Sequence, residues 1–169
     1  MAYVDSNVII ARYMPQDKWY ALSERFFTKK NTRYITPLTL VELYSVFSRV
    51  LEQISFPGKE SLNDRSTALN TLIKFVIDDC NLKILSVPYV AEVEIDGTAI
   101  RAPIEYVMSL IWAALLELKS LDLVHISYSW VLKVKKGIGT FVTADDEIAS
   151  RKALIQKHLG VKIAHLKDL

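Results

Sequence analysis

Short apolar runs alternate with stretches of helical periodicity along this chain, and that alternation limits the possible folds more than any other feature. Residues 2–4, 34–35, 82–87, 140–143 and 161–164 read as brief strands of buried type. Between them, helical spacing runs over 8–13, 19–29, 37–54, 61–79, 104–120, from 121 to about 133–137, and over 145–158. Strands too short to stand alone, each followed by one or more helices, predict a mostly parallel sheet with helices on both faces. One segment departs from this rhythm. Residues 89–101 alternate through Glu92-Val93-Glu94-Ile95, reach Asp96-Gly97 and resume at Thr98, which predicts a small β-hairpin.

With 169 residues, 51% of them hydrophobic, the chain is long enough to bury a substantial core, and the expectation is one domain over 1–169. The single cysteine, Cys80, excludes an internal disulfide and any multi-cysteine metal site, and suits a reducing cytoplasm. The most apolar helical segment, 107–116, is far shorter than a membrane span, and no basic-then-apolar leader opens the sequence. A soluble cytoplasmic protein is therefore expected. A formal net charge of +2 does not by itself mark a nucleic-acid binder.

Charge becomes informative where it follows the strands. Asp5 ends the first apolar run, and Asp145 follows the run Thr140–Thr143, so a parallel sheet carries both to its carboxyl edge, where ligands bind. Glu42 interrupts an otherwise apolar helical pattern, and Asp122 stands at a helix start, so helices beginning at that edge bring both alongside. Carboxylates about 5 Å apart repel by roughly 3 kcal/mol at an effective dielectric of about 20. A divalent ion is the natural compensation. Oxygen-only ligands select Mg²⁺ or Mn²⁺, which would position a phosphate, activate a water and stabilise the leaving oxygen. That is nuclease chemistry.

Four segments carry a resemblance consistent with this reading. Tyr3-Val4-Asp5-Ser6-Asn7, Thr36-Pro37-Leu38-Thr39-Leu40-Val41-Glu42-Leu43, Leu121-Asp122-Leu123-Val124-His125 and Phe141-Val142-Thr143-Ala144-Asp145 together resemble the PIN-domain ribonucleases, in particular the VapC-like toxins of prokaryotic toxin–antitoxin pairs. The resemblance implies a three-layer α/β/α sandwich and metal-dependent hydrolysis of RNA phosphodiesters by a metal-activated water. It implies Asp5, Glu42, Asp122 and Asp145 as catalytic Mg²⁺ or Mn²⁺ ligands, with Ser6, Asn7 and Thr143 as hydrogen-bonding supports. It also implies an RNA substrate, an antitoxin partner and a homodimer. The hairpin around Asp96-Gly97 is additional to the compact toxin pattern, and bulky residues from Ile126 to Trp130 replace the small ones usual in the family.

Neighbouring residues have plainer readings. Asp146 and Glu147 suit the start of a helix, where the dipole favours acids. His125, without a His or Cys companion in sequence, reads as a packed or hydrogen-bonded histidine near the site. Lys29, Lys30 and Arg33 form a basic cluster at a helix end, and Lys133, Lys135 and Lys136 form another, either dipole-compensating or facing phosphates. Of Tyr13, Trp19 and Tyr20, aromatic residues able to stack bases, Trp19 is better explained by apolar packing. A phosphoryl-receiver fold needs an acid after its third strand, and 82–87 ends instead at Pro88. The alternative to a nuclease is a non-catalytic PIN-like module that binds RNA or protein.

Overall fold

In the computed structural model, which describes residues 1–29 and 31–169, the apolar runs become strands β1 (Ala2–Val4), β2 (Arg33–Ile35), β3 (Leu82–Ile84), β4 (Val90–Ile95), β5 (Thr98–Pro103), β6 (Thr140–Thr143) and β7 (Lys162–His165). The helices are α1 (Ser6–Arg12), α2 (Tyr20–Thr28), α3 (Pro37–Val50), α4 (Arg65–Asp79), α5 (Ile104–Leu116), α6 (Ser120–Lys136), α7 (Asp146–Ser150) and α8 (Lys152–Leu159). Five strands form one sheet in the order β3-β2-β1-β6-β7, and every neighbouring pair is parallel.

The period-two alternation of strand side chains divides the apolar residues between two cores. Val4 and Val142 face one layer, where they meet Val8 and Ile9 of α1, Phe27 of α2, Leu43 and Phe47 of α3, and Leu72 and Val76 of α4. Tyr3, Phe141 and Ile163 face the other, among Leu116 of α5, Ile126 and Leu132 of α6, Ile148 of α7, and Ile155 and Leu159 of α8. This is a PIN-like α/β/α sandwich.

β1 is paired to β2 on one side and to β6 on the other, with Tyr3 opposite Phe141 and Val4 opposite Val142. Strand order reverses at that β1–β6 boundary, the position where open parallel sheets leave a crevice beyond their carboxyl ends. The local sequence supports the entry into each helix. Pro37 occupies the first turn of α3, where its missing N–H costs nothing, and Asp64 caps α4 by accepting from the Thr67 N–H at 2.7 Å.

Several boundaries differ from the sequence reading. β3 ends at Ile84 rather than at 87. The helix expected over 145–158 is broken at Arg151, whose φ of −92° and ψ of 4° lie outside the α-helical range and whose N–H bonds back to Ile148 O at 3.1 Å, so that α7 and α8 are separate. Lys30 of the first basic cluster lies outside the described residues. Arg33 of that cluster is buried, and its guanidinium donates to the carbonyls of Phe26 and Lys29 at the end of α2 and to those of Asn31 and Cys80. The hairpin forms as read. Asp96 and Gly97 both take positive φ, 50° and 72°, as a two-residue turn of mirror-image type requires, and β4 and β5 make a separate antiparallel sheet. Among the described residues, no helix is long and apolar enough to cross a membrane.

Candidate functional site

Asp5 is the first residue beyond β1, and its backbone N–H still bonds across to Val142 O of β6 at 2.9 Å. That bond holds it at the sheet edge, 4% exposed. Thr143, the last residue of β6, donates its hydroxyl to Asp5 Oδ2 at 2.7 Å and accepts from the Asp145 N–H at 3.0 Å and from Asn7 Nδ2 at 3.4 Å. Asn7 closes the clamp by accepting from the Ala144 N–H at 3.0 Å. One threonine hydroxyl thus ties together the two strand ends and the first turn of α1. Asp145 is fixed in turn, because Oδ1 accepts from the N–H groups of Glu147 at 2.6 Å and Ile148 at 3.1 Å as the cap of α7.

On the other side of Asp5 stand Glu42, from the second turn of α3, and His125, from the second turn of α6. His125 is 2% exposed, and its Nε2 donates to Glu42 Oε2 at 2.8 Å while lying 3.8 Å from Asp5 Oδ1. Its Nδ1 is hydrogen-bonded to the hydroxyl of Tyr3, which also reaches the Thr36 hydroxyl at 3.1 Å and the Thr39 hydroxyl at 3.2 Å. Phe141 stacks on the rings of both Tyr3 and His125. One ligand atom each of Asp5, Glu42 and His125 lie within 4.8 Å of one another.

The protonation states follow from these contacts. Burial works against a charge on His125, but the bond to Glu42 and the charges of Asp5, Glu42 and Asp122 outweigh it and raise the imidazole pKa. Burial likewise works against Glu42, yet the His125 bond and charge, with help from Ser6, hold its carboxyl below the ordinary value. Asp5 goes the other way. Burial and the Glu42 charge raise it despite His125, Thr143 and the Ser6 N–H. Burial also raises the Tyr3 phenol, which stays protonated and able to donate to Nδ1 whenever the ring is neutral.

Asp122, in the first turn of α6, borders this cluster. Burial and the charges of Asp145 and Asp5 push its carboxyl up to about 6, offset only in part by His125 and Lys119. The structure therefore sets all four sequence-predicted acids about one edge, with Asp5 and Glu42 in closest contact and Asp122 and Asp145 on the more open side. Ser6, Asn7 and Thr143 lie among them. His125 is the hydrogen-bonded histidine expected, but its position between two of the acids was not foreseen, nor was the part played by Tyr3. The available signal was the three-residue offset from Asp122, which puts His125 one turn further along the same helix face.

The donor set suits a hard divalent cation. Both nitrogens of His125 are engaged, so the remaining donors are carboxylate oxygens, and the carboxyl of Asp122, raised by burial first and by Asp145 and Asp5 second, is one whose charged form a cation would favour.

No protein-family model matches the sequence, and no curated protein matches it. The fold does have a solved counterpart. A chain in the crystal structure of VapBC2 from Rickettsia felis, bound to a DNA fragment from their promoter, superposes with a TM-score of 0.51 at 15% identity, over 98% of each chain. At that identity the likeness is one of fold, and the fold shared across both whole chains is the PIN-like α/β/α sandwich.

Proposed function

We propose that this protein is a Mg²⁺- or Mn²⁺-dependent endoribonuclease and the toxin of a toxin–antitoxin pair. The observation that carries the reading is the gathering of Asp5, Glu42, Asp122 and Asp145 about the carboxyl ends of β1 and β6, with Asp122 raised by burial and by Asp145 and Asp5. These four residues would hold the cation. When bound, it supplies an activated water and charge stabilisation on the phosphodiester. The chain's own residues supply the framework. Thr143 and Asn7 fix Asp5 relative to Asp145, while Tyr3 and His125 fix the Glu42 carboxylate. Until the cation arrives, His125 provides the positive charge that lets the buried Asp5 and the half-buried Glu42 stand together.

The likeness to a VapBC2 chain supports the toxin reading and with it an antitoxin partner, while the homodimer is carried by the motif resemblance alone. The acids provide the decisive test. Asp5→Asn and Asp145→Asn should each abolish Mn²⁺-stimulated cleavage of a mixed RNA pool while leaving the circular dichroism spectrum unchanged. Full cleavage in both variants would sink the nuclease reading, and saturable RNA binding without cleavage by the unaltered protein would establish the non-catalytic binding module instead. Light scattering on the same preparation reads the oligomer, and a monomer alone would remove the dimer.

A further inference from the structure

Beside Asp145 a cavity of about 600 Å³ opens between α7 and the turn that precedes α2, lined among others by Asn7, Lys18, Trp19, Ala144, Asp145 and Asp146. The carboxylate of Asp146 is the focus of its outer part. Lys167 Nζ lies 2.9 Å from Oδ1, Lys18 Nζ 3.4 Å from Oδ2, and His165 Nε2 3.6 Å from Oδ1. The Trp19 ring carries the arrangement, with the Lys18 and Lys167 ammonium groups 4.6 and 4.8 Å from its centroid and the His165 ring edge-on at 5.2 Å.

An ordinary surface ion pair would account for the lysines. It does not account for His165, which is 3% exposed. Its Nδ1 accepts from the Lys167 N–H at 3.1 Å, which puts the ring hydrogen on Nε2, and among the described residues Nε2 has no hydrogen-bond partner. A buried N–H left in that state is costly, and it lies 3.6 Å from the carboxylate on which two cations already converge. Three donors therefore surround one small oxyanion. That oxyanion is held weakly, since Asp146, Lys18 and Lys167 are 56%, 69% and 54% exposed and solvent screens pairs so exposed.

We propose that Lys18, Lys167 and the His165 Nε2–H form a subsite for one backbone phosphate of the single-stranded RNA substrate, adjoining the acid cluster, with the Asp146 carboxylate as the internal anion that the phosphate displaces. The assignment rests on the nuclease reading for the identity of the strand. Trp19 acts as the floor that positions the lysines, which cover its ring, so it is not a platform for a base.

The test is fluorescence anisotropy of a labelled single-stranded oligoribonucleotide in EDTA, where metal-dependent cleavage is off, repeated across a salt series. Lys18→Ala and Lys167→Ala should each weaken binding and lower the slope of log affinity against log salt by about 0.7, the value for one phosphate contact on a single strand. Asp146→Asn should tighten binding by about two- to fivefold, the equivalent of releasing one exposed ion pair. Lys83→Ala, which removes the same charge from β3 at the opposite edge of the sheet, should leave the slope unchanged. The proposal is overturned if the unaltered protein does not bind, if the lysine variants keep its slope, or if Asp146→Asn binds more weakly. Saturable binding of inorganic phosphate, lost in Lys167→Ala, without binding of the oligoribonucleotide would replace the strand with a free phosphate. The two readings fail separately. Unchanged binding in all variants with Mn²⁺-stimulated cleavage intact removes the subsite alone, whereas the expected binding shifts without cleavage by the unaltered protein remove the nuclease alone.

Discussion

The two sides of the acid site deal with the same repulsion in different ways. On the inner side, the buried Asp5 and the half-buried Glu42 stand together, and His125 stands between them as an internal cation held from behind by Tyr3. On the outer side, Asp122 lies near Asp145, Asp5 and the exposed ammonium of Lys119, and its carboxyl is raised by burial first and by the two neighbouring acids second. The inner side thus carries a hydrogen-bonded cation of its own, which holds Glu42 down although Asp5 remains raised, while Asp122 on the outer side is raised with no cation hydrogen-bonded to it among the described residues. The contrast shows how a fold can build a dense acid cluster without losing stability across the whole of it, since burial makes compensation obligatory inside and solvent screening makes it optional outside.

Removing the internal cation is the most severe way to break this contrast. His125→Ala leaves the buried Asp5 and the half-buried Glu42 carboxylates facing each other and empties the space behind Glu42. Loss of one partner from a buried charged cluster costs about 3 kcal/mol or more. For a chain of this size that lowers the melting temperature by about 6–12 °C in EDTA. Mn²⁺ should then restore more stability to His125→Ala than to the unaltered protein, because the ion takes over the charge that was removed. Equal melting temperatures in EDTA, or an equal gain with Mn²⁺, would show that His125 does not balance the inner side.

A gentler cut tests whether the support behind His125 matters. Tyr3→Phe deletes a hydroxyl shared with His125, Thr36 and Thr39 and leaves those three groups without it, at a cost of about 1–3 kcal/mol. Combined with Glu42→Gln in a double-mutant cycle, it should show a coupling of about 0.5 kcal/mol or more, since the two residues meet only through the histidine ring. Strict additivity in thermal melts would mean that Tyr3 is packing and nothing more.

The contrast also marks how far the sequence could be read. Asp5 and Asp145 were legible because each directly follows an apolar run, and a parallel sheet sends every such position to one edge. Glu42 and Asp122 stood out as an acid in an apolar helical pattern and an acid at a helix start, and the motif resemblance supported them, because nothing in helical periodicity says that α3 and α6 converge on that edge. The hairpin was plain from Asp96-Gly97, a local turn signal. What stayed hidden depends on tertiary neighbours. The pairing of β1 with β6 is a matter of strand order, and the bridging position of His125 requires α3, α6 and β1 to meet. The break at Arg151 also escaped, since 145–158 keeps helical periodicity across it and the guanidinium that bonds Glu117 at 2.9 Å belongs to a contact distant in sequence.

The smallest expected effect lies on the outer side and has the opposite sign. The Asp122 carboxyl sits at about 6 in the folded chain against an ordinary 3.8. A raised carboxyl means that the folded state holds its proton more tightly than the unfolded state does. The associated stability is fully present below about pH 4 and is lost as the pH rises through about 6. Asp122→Asn removes that loss. In EDTA above about pH 6 the variant should melt higher than the unaltered protein, by about 1 kcal/mol or 2–4 °C once solvent screening at a half-buried carboxylate is allowed for. The difference should shrink as the pH falls toward about 4. Mn²⁺ should invert the order above about pH 6, because the unaltered protein recovers the lost stability on binding the ion and the variant lacks the fourth carboxylate. A variant that melts lower than the unaltered protein in EDTA across this range would show that Asp122 is balanced in the free chain, and the distinction between the two sides would then disappear.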